Sequence, residues 1–305
     1  MKILMTGSTG FVGTALCQEL LRAGHTVCRL VRSGTVVEKP RGADGFDVHW
    51  NPATGELGGA AVGADAVVNL AGASIADGRW TAERKQLLLA SRVDTTRALV
   101  RALSQMAARP RVLVSASGIG YYGNCGDQLL TEESPLGQDF LSRLGQEWEA
   151  EAAKAEALGI RVVRARFGII LAKHGGALPR MVRPFLCGAG GKIGSGEQWM
   201  SWVTLQDVVG ILRFALENGA VRGPINVVSP QPARNAEFTK VLAKTLQRPA
   251  IFPAPAFALR LLLGEMADAL LLSSQRALPA TLEKLGYRFL HPDLPGALAA
   301  IWNTT

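Results

Sequence analysis

The stretch MKILMTGSTGFVG constrains the fold of this chain more than any other. KILMT (residues 2–6) is a short apolar strand, and FVGTALCQELLRAG (11–24) has helical periodicity and ends on glycine. Gly7, Gly10 and Gly13 join the two with GxxGxxG spacing. The first glycine permits a tight turn. The second lets a pyrophosphate reach the backbone at the helix N-terminus, where free N–H groups and the helix dipole favour an anion. The third lets helix pack on strand. Glycine turns are common, so the motif alone says little. Here it lies between a first strand and a first helix, with a second strand, TVCRLVR (26–32), following. In that setting a dinucleotide-binding loop is the expected reading.

The rest of the first half alternates in the same way. FDVHW (46–50), DAVVNLAG (65–72), RVLVSAS (111–117) and RVVRARFGII (161–170) read as strands. AERKQLLLASRVDTTRALVRALSQM (82–106) reads as one long helix, and a further helix spans 139–158. Short apolar strands alternating with helices predict an α/β fold, a Rossmann-type doubly wound parallel sheet covered on both faces. From about residue 171 the pattern loosens into glycine and proline, and residues 231–305 read as helical patches broken by prolines. The expected organisation is a dinucleotide-binding domain (1–170 with 197–230) and a smaller C-terminal substrate-side lobe (171–196 with 231–305). The segment GGKIGSGEQ (190–198) is expected to be a mobile loop that covers a ligand.

Composition excludes several classes. The chain has 305 residues, 48% of them hydrophobic, enough for one large core or two fused smaller ones. It has no apolar run of about 18 residues, so no membrane span is expected. The apolar run after Lys2 is too short for a signal peptide. Four scattered cysteines, none in a CxxC pair, argue against a disulfide framework or zinc site and for a reducing cytoplasm. Four dispersed histidines lead to an expectation of no metal. The net charge of +8 comes from arginines spread along the chain, without a block of like charge. A solvated basic surface is the plain reading and no nucleic-acid partner is expected; another reading is that some arginines answer a phosphorylated small ligand.

At the end of the second strand an acidic residue favours the ribose hydroxyl of NAD, whereas arginine favours the 2′-phosphate of NADP. Arg32 and Ser33 stand there. A guanidinium and a hydroxyl suit a phosphate monoester, and NADP(H) is the expected cofactor. The alternative is a surface arginine at a strand end.

The order GxxGxxG, NLAG (69–72), SASGIGYYG (115–123), TEESP (131–135), WVTLQD (202–207) and INVVSP (225–230) resembles that of the extended short-chain dehydrogenase/reductases, which include sugar-nucleotide epimerases and dehydratases. More narrowly, SRVDTTRAL, WE, GGAL, GSGEQWMSWV, NAEF and LEKLGYRF resemble the NAD(P)-binding epimerase-family proteins with a conserved C-terminal domain of unknown function. The resemblance spans essentially the whole chain and implies an NADP-type cofactor, but names no substrate. It places Thr6, Gly7, Gly10, Phe11, Val12 and Gly13 in the pyrophosphate loop, and Arg32 and Ser33 at the adenosine 2′-phosphate. Leu70, Ala71 and Gly72 match backbone along the cofactor, and Ser115, Ala116 and Ser117 a strand end beside the nicotinamide. Ser117 falls at the hydroxyl that polarises a substrate carbonyl. Arg166, Phe167 and Gly168 match the strand end that closes over the nicotinamide side. For Ser115 the plain alternative is backbone satisfaction; Gly72 has little reason to be glycine except to permit a close approach.

The superfamily's acid/base pair is a tyrosine with a lysine four positions later on the helix that here begins near Asp139. That helix, DFLSRLGQEWE, has neither. The usual Tyr–Lys route is therefore not expected, and Phe140 should form an apolar wall. Tyr121 and Tyr122 lie just beyond Ser117 and are the substitute candidates, although Tyr122–Gly123 has a structural reading as the YG of extended members. Asp139 and Glu132 are more remote candidates. Two functions survive: an NADP-dependent oxidoreductase or epimerase-like enzyme of unknown small-molecule substrate, and a non-catalytic NADP(H)-binding or redox-sensing protein that acts through a partner.

Overall fold

The computed structural model describes residues 1–32, 45–52, 56–57 and 61–303. Its centre is an eight-stranded sheet. In chain order the strands are β1 (Lys2–Thr6), β2 (Thr26–Arg32), β3 (Gly45–Asn51), β4 (Glu56–Leu57), β5 (Ala66–Asn69), β6 (Val112–Gly118), β7 (Arg161–Phe167) and β8 (Gly223–Val227). Their spatial order is β8-β7-β6-β5-β1-β2-β3-β4; seven are parallel and β4 runs antiparallel to β3 at the edge. The order reverses between β1 and β5, which follow one another in space but not in sequence, so a crevice opens at their carboxyl ends.

Both sheet faces are dry, as the near-continuous apolar strands require. Ile3 and Met5 of β1 join one core with α1 (Phe11–Arg22) and α6 (Leu205–Glu217), while Leu4 between them joins the opposite core under α3 (Val93–Ser104). Val67 in β5, Leu113 in β6 and Val162 in β7 face the same way as Leu4. A third core draws on α5 (Leu178–Leu186), α7 (Asn235–Leu246), the helix Leu294–Asn303 and Trp202.

Two segments break where a single element was expected. The helix over 82–106 divides into α2 (Ala82–Ala90) and α3. The Ser91 hydroxyl donates to the Leu88 carbonyl at 3.1 Å and accepts from the Ala73 amide at 3.1 Å, so it serves the loop after β5 at the cost of helix continuity. The strand over 161–170 ends at Phe167, and Ile169–Leu171 leaves the sheet to pair with Trp202–Thr204. Gly168 marks the bend: a Cβ there would lie 2.5 Å from the Ser201 carbonyl. The 190–198 segment is pinned rather than loose. Asn235 accepts from the Ile193 amide at 2.8 Å, and the Gly194 amide donates to the Ala254 carbonyl at 2.8 Å. No helix among the described residues is long and apolar enough to cross a membrane.

Candidate functional site

The crevice at the carboxyl ends of β1 and β5 begins with the glycine loop, and its three glycines have three different reasons. Gly7 has φ +67°, and a Cβ on it would lie 2.5 Å from the Leu70 carbonyl oxygen. A Cβ on Gly13 would lie 2.0 Å from the Gly7 oxygen, so that glycine lets α1 pack on the turn. Gly10 is different: it sits in extended backbone as the N-cap of α1, and a Cβ there would meet only the Gly7 oxygen at 3.2 Å. Its side-chain position is otherwise open. No side chain caps α1 and its first turn carries no acid, which leaves N–H donors turned outward. Beside them the Ser8 hydroxyl is buried without a hydrogen-bond partner. Unsatisfied donors around an open cradle fit a diphosphate. Phe11 lies under the turn at Gly175 and Gly176, whose own Cβ positions its ring would overlap, and Val12 packs on the sheet core. The backbone of Arg32 ends β2 at this edge of the sheet; Ser33 lies outside the described residues.

Beneath the loop runs a buried polar chain. Thr6 donates to Asn69 Oδ1 at 2.7 Å; Asn69 Nδ2 donates to Thr96 (2.8 Å) and to Ser115 (3.2 Å); the Trp148 indole donates to Thr96 at 3.0 Å. Thr6 and Ser115 therefore act as internal ties between β1, β5, β6 and α3, not as free ligands of a cofactor. The sequence contained Asn69, Thr96 and Trp148, but nothing in their spacing links them. Leu70 and Ala71 follow β5, with Leu70 closing on Gly7. Gly72 does permit a close approach, but by Arg92: a Cβ on Gly72 would lie 3.1 Å from its guanidinium carbon. That guanidinium donates to the Ala73 and Leu88 carbonyls and stacks on Trp148, and its burial lowers its pKa to about 10.

The second half of the edge is organised by a buried ion pair. Arg166 and Glu149 have side chains only 4% and 5% exposed and meet through two bonds, Nε to Oε1 at 2.7 Å and Nη2 to Oε2 at 2.8 Å. Glu149 comes from α4 (Phe140–Ala153). Burial opposes the Arg166 charge, but the Glu149 carboxylate outweighs it and holds the guanidinium pKa above its ordinary value. Two expectations are corrected here, those on Ser117 and Tyr122. The Arg166 guanidinium, at the strand end expected to close over the nicotinamide side, is taken up inside the protein. Ser117 donates its only proton to Glu149 Oε1 at 2.7 Å and is 3% exposed, so it cannot donate to a substrate carbonyl. Tyr122 donates to Asn226 Oδ1 (2.7 Å) and accepts from Arg166 (2.9 Å), and burial pushes its phenol up to about 12. It is a structural residue. Glu132 and Asp139 are engaged as well. Glu132 receives the Asn226 and Thr281 amides, and Asp139 caps α4 by accepting from the Ser142 amide at 2.8 Å. Gly168 serves the bend described above. Phe167 and Ala116 are apolar surface where β7 and β6 end.

Tyr121 remains as the candidate with an unspent group. Its ring lies on the Arg166 guanidinium, 3.6 Å from carbon to centroid, and against Gly145 of α4, whose Cβ would sit 3.5 Å from it. Among the described residues its hydroxyl holds no hydrogen bond, and the side chain is half-buried. Phe140 packs edge-on against Trp80 at 5.3 Å, an apolar wall as its sequence position suggested. Glu149, the hub of this half, was missed. Its only sequence signal is the WE pair at 148–149 inside α4, which says nothing of Arg166 on another element.

The glycine cradle, the doubly wound sheet and the switch-point crevice define a dinucleotide-binding α/β protein. Residues 3–228 match the NAD dependent epimerase/dehydratase family, and the chain belongs to it; residues 254–301 match a domain of unknown function, DUF1731. An epimerase family protein of Mycobacterium bovis is 40% identical over 97% of this chain and 96% of its own. The bovine epimerase family protein SDR39U1 is 37% identical over 99% of each chain. The crystal structure of human SDR39U1 (isoform 2), solved with NADPH, superposes with a TM-score of 0.87 at 34% identity, covering 100% of both chains.

Proposed function

We propose that this chain is an NADPH-binding oxidoreductase of the epimerase/dehydratase family that works without the tyrosine–lysine pair. The open cradle at Gly10, with the unpartnered Ser8 hydroxyl and the uncapped N-terminus of α1 around it, carries this reading. The human relative solved with NADPH supports the choice of cofactor. The loop Gly7–Gly13 would hold the diphosphate, and Arg32 at the end of β2 would meet the 2′-phosphate. When bound, NADPH supplies a hydride. The chain's own contribution is a buried Glu149–Arg166 pair that neutralises itself and a single unspent phenol, Tyr121, able to move a proton at its hydroxyl. Arg166 positions that ring and leaves a cation at its face.

A second reading has its own support. Ser117 and Tyr122 are both tied into the Glu149–Arg166 network, which suits a protein that binds NADPH and reports its state to a partner without turnover. Titration of NADPH and NADH into wild type and Arg32→Ala tests the shared part. NADPH affinity should fall about 10- to 100-fold in the variant and NADH affinity stay level, as for one charge-assisted contact. Equal losses would sink the assignment of Arg32. Oxidation of bound NADPH by a carbonyl panel separates the two readings.

A further inference from the structure

The charge balance that closes the Glu149–Arg166 network stops short of the loop after β5. Leu70 begins that loop and closes on the glycine turn, where a Cβ on Gly7 would lie 2.5 Å from the Leu70 oxygen. Beyond it the chain runs out at the carboxyl end of β5, with Gly72 and Ser74 exposed. Ligands of an open α/β sheet bind outside such strand ends. Two guanidiniums are fixed to successive carbonyls of this loop. Arg92, at the start of α3, donates to the Ala73 oxygen at 2.9 Å, and Arg84, in α2, donates to the Ser74 oxygen. Both residues are half-buried.

Among the described residues neither guanidinium has a carboxylate at ion-pair distance. Arg92 holds the Ala73 and Leu88 carbonyls and the face of Trp148. Arg84 holds the Ser74 carbonyl alone, and its Nε is buried without an acceptor. The acids of the same segments are engaged elsewhere. Asp77 is held by Arg180 at 2.6 Å, Asp94 by Arg97 at 2.7 Å, and Glu83 accepts from Thr81 and its own amide at the start of α2. The two cations also feel each other: burial lowers the Arg92 pKa most, and the Arg84 charge lowers it further. Arg166 gives the contrast within one molecule, since Glu149 meets it with two bonds. Carbonyl dipoles offset only part of a desolvated charge, and a buried N–H without an acceptor stays costly. A planar guanidinium with N–H groups to spare matches the paired oxygens of a carboxylate or phosphate.

We infer that Arg84 and Arg92 form an anion site beside the cofactor cradle, which takes the carboxylate or phosphate group of a second ligand. This rests on the reading of the glycine cradle as the NADPH site, because the anion is not the cofactor's own. Arg92 also ties the loop to α3, whereas the buried Nε of Arg84 has no structural partner to serve.

The test is calorimetric titration of inorganic phosphate and of acetate into the full chain saturated with NADP⁺, against chloride at matched ionic strength, for wild type and Arg84→Gln. At least one oxyanion should bind wild type, with a Kd on the order of 1 mM, and Arg84→Gln should weaken it about tenfold with NADP⁺ affinity unchanged. Phosphate alone marks a phosphate group on the ligand, and acetate alone a carboxylate. Absence of both above the chloride reference would overturn the inference, as would oxyanion binding indifferent to Arg84→Gln. A fall in NADP⁺ affinity in the variant, with neither oxyanion binding the saturated wild type, would assign the pair to the cofactor and overturn it too. If Arg84→Gln melts early, phenylglyoxal labelling of wild type decides: phosphate or acetate, but not chloride, should protect Arg84, and equal labelling would overturn the inference. Failure of NADP⁺ itself to bind would sink the cofactor reading, and the oxyanion titrations on the cofactor-free chain would still decide this one.

Discussion

Glu149→Gln is the sharpest test of the buried network, because it keeps the side chain's shape and removes only its charge. In the native protein the carboxylate accepts from Ser117 and takes two bonds from Arg166. The amide keeps one acceptor oxygen but turns its NH₂ toward the donors it faces. Arg166 is then a buried cation whose remaining acceptors are Tyr122 and the Glu132 carbonyl. Breaking such a pair from one side costs about 3–5 kcal/mol, because the surviving charge stays desolvated. With an unfolding entropy of about 2.1 cal/mol/K per residue, a 305-residue chain changes its midpoint by about 5–8 °C for that loss. The control is Asp77→Asn, which breaks an ion pair with both side chains 56% exposed. That change should cost under about 1 kcal/mol, or less than about 2 °C. Melting followed by circular dichroism checks both, and Arg166→Met on the Glu149→Gln background should cost less than the two single losses combined. A Glu149→Gln midpoint within about 1 °C of wild type would refute the view that this pair holds α4 to β7.

Four other outcomes follow from the site. Gly10→Val should fold, since its backbone is extended, yet lose NADPH by fluorescence titration, whereas Gly13→Val should fail to fold because its Cβ overlaps the Gly7 oxygen. If the chain turns over a carbonyl substrate, Tyr121→Phe should lower the rate about 100-fold with cofactor affinity intact, and Tyr122→Phe should cost stability instead. Tyr122 also predicts an alkaline limit. Its folded pKa of about 12 lies above the value of 10.0 for a free phenol, so its stabilisation is complete below pH 10, is lost as pH rises toward 12, and should vanish from the stability–pH curve of Tyr122→Phe. Gly145→Ala puts a Cβ in ordinary contact with the Tyr121 ring, 3.5 Å away, so it should leave the stack on Arg166 in place and raise the midpoint through better helix propensity; a fall would show that the ring has no room to spare.

The parts of the molecule readable from sequence are those whose cause is local. A strand, three glycines and a helix specify one turn, because steric demand at Gly7 and Gly13 acts between neighbours in the chain. Apolar strands covered on both faces follow from short apolar runs alternating with helices, and the absence of tyrosine and lysine from α4 is visible by inspection. What sequence hid depends on partners far apart. Ser117 looks like a crevice hydroxyl until Glu149, on a different helix, is seen to accept its proton; Tyr122 and Asn226 meet across 104 positions. Gly72 reads as room for a close approach, and that one of the groups approaching it is Arg92 follows only from the position of the helix start that carries it. The breaks at Ser91 and Gly168 were hidden for the same reason, since each answers a contact with a remote loop.

The carboxyl edge of the sheet thus carries two opposite kinds of chemistry. Around β1 the protein leaves donors unpaired: the Ser8 hydroxyl and the first turn of α1 have no acceptor of their own. Buried donors without acceptors are costly, and a bound anion removes that cost, so this half is built to be completed from outside. Around β6 and β7 the reverse holds. Arg166, Glu149, Ser117, Tyr122 and Asn226 satisfy one another, and the apolar cluster of Trp80, Phe140 and Met266 packs beside them through Ala116 and Phe167. A closed network of this kind has no proton to lend at neutral pH, because using any member would strand a buried charge. If this chain is an enzyme, as proposed, a proton moved in this half must come from a group outside the network, and Tyr121 borders it: its ring is held by Arg166 while its hydroxyl holds no hydrogen bond among the described residues.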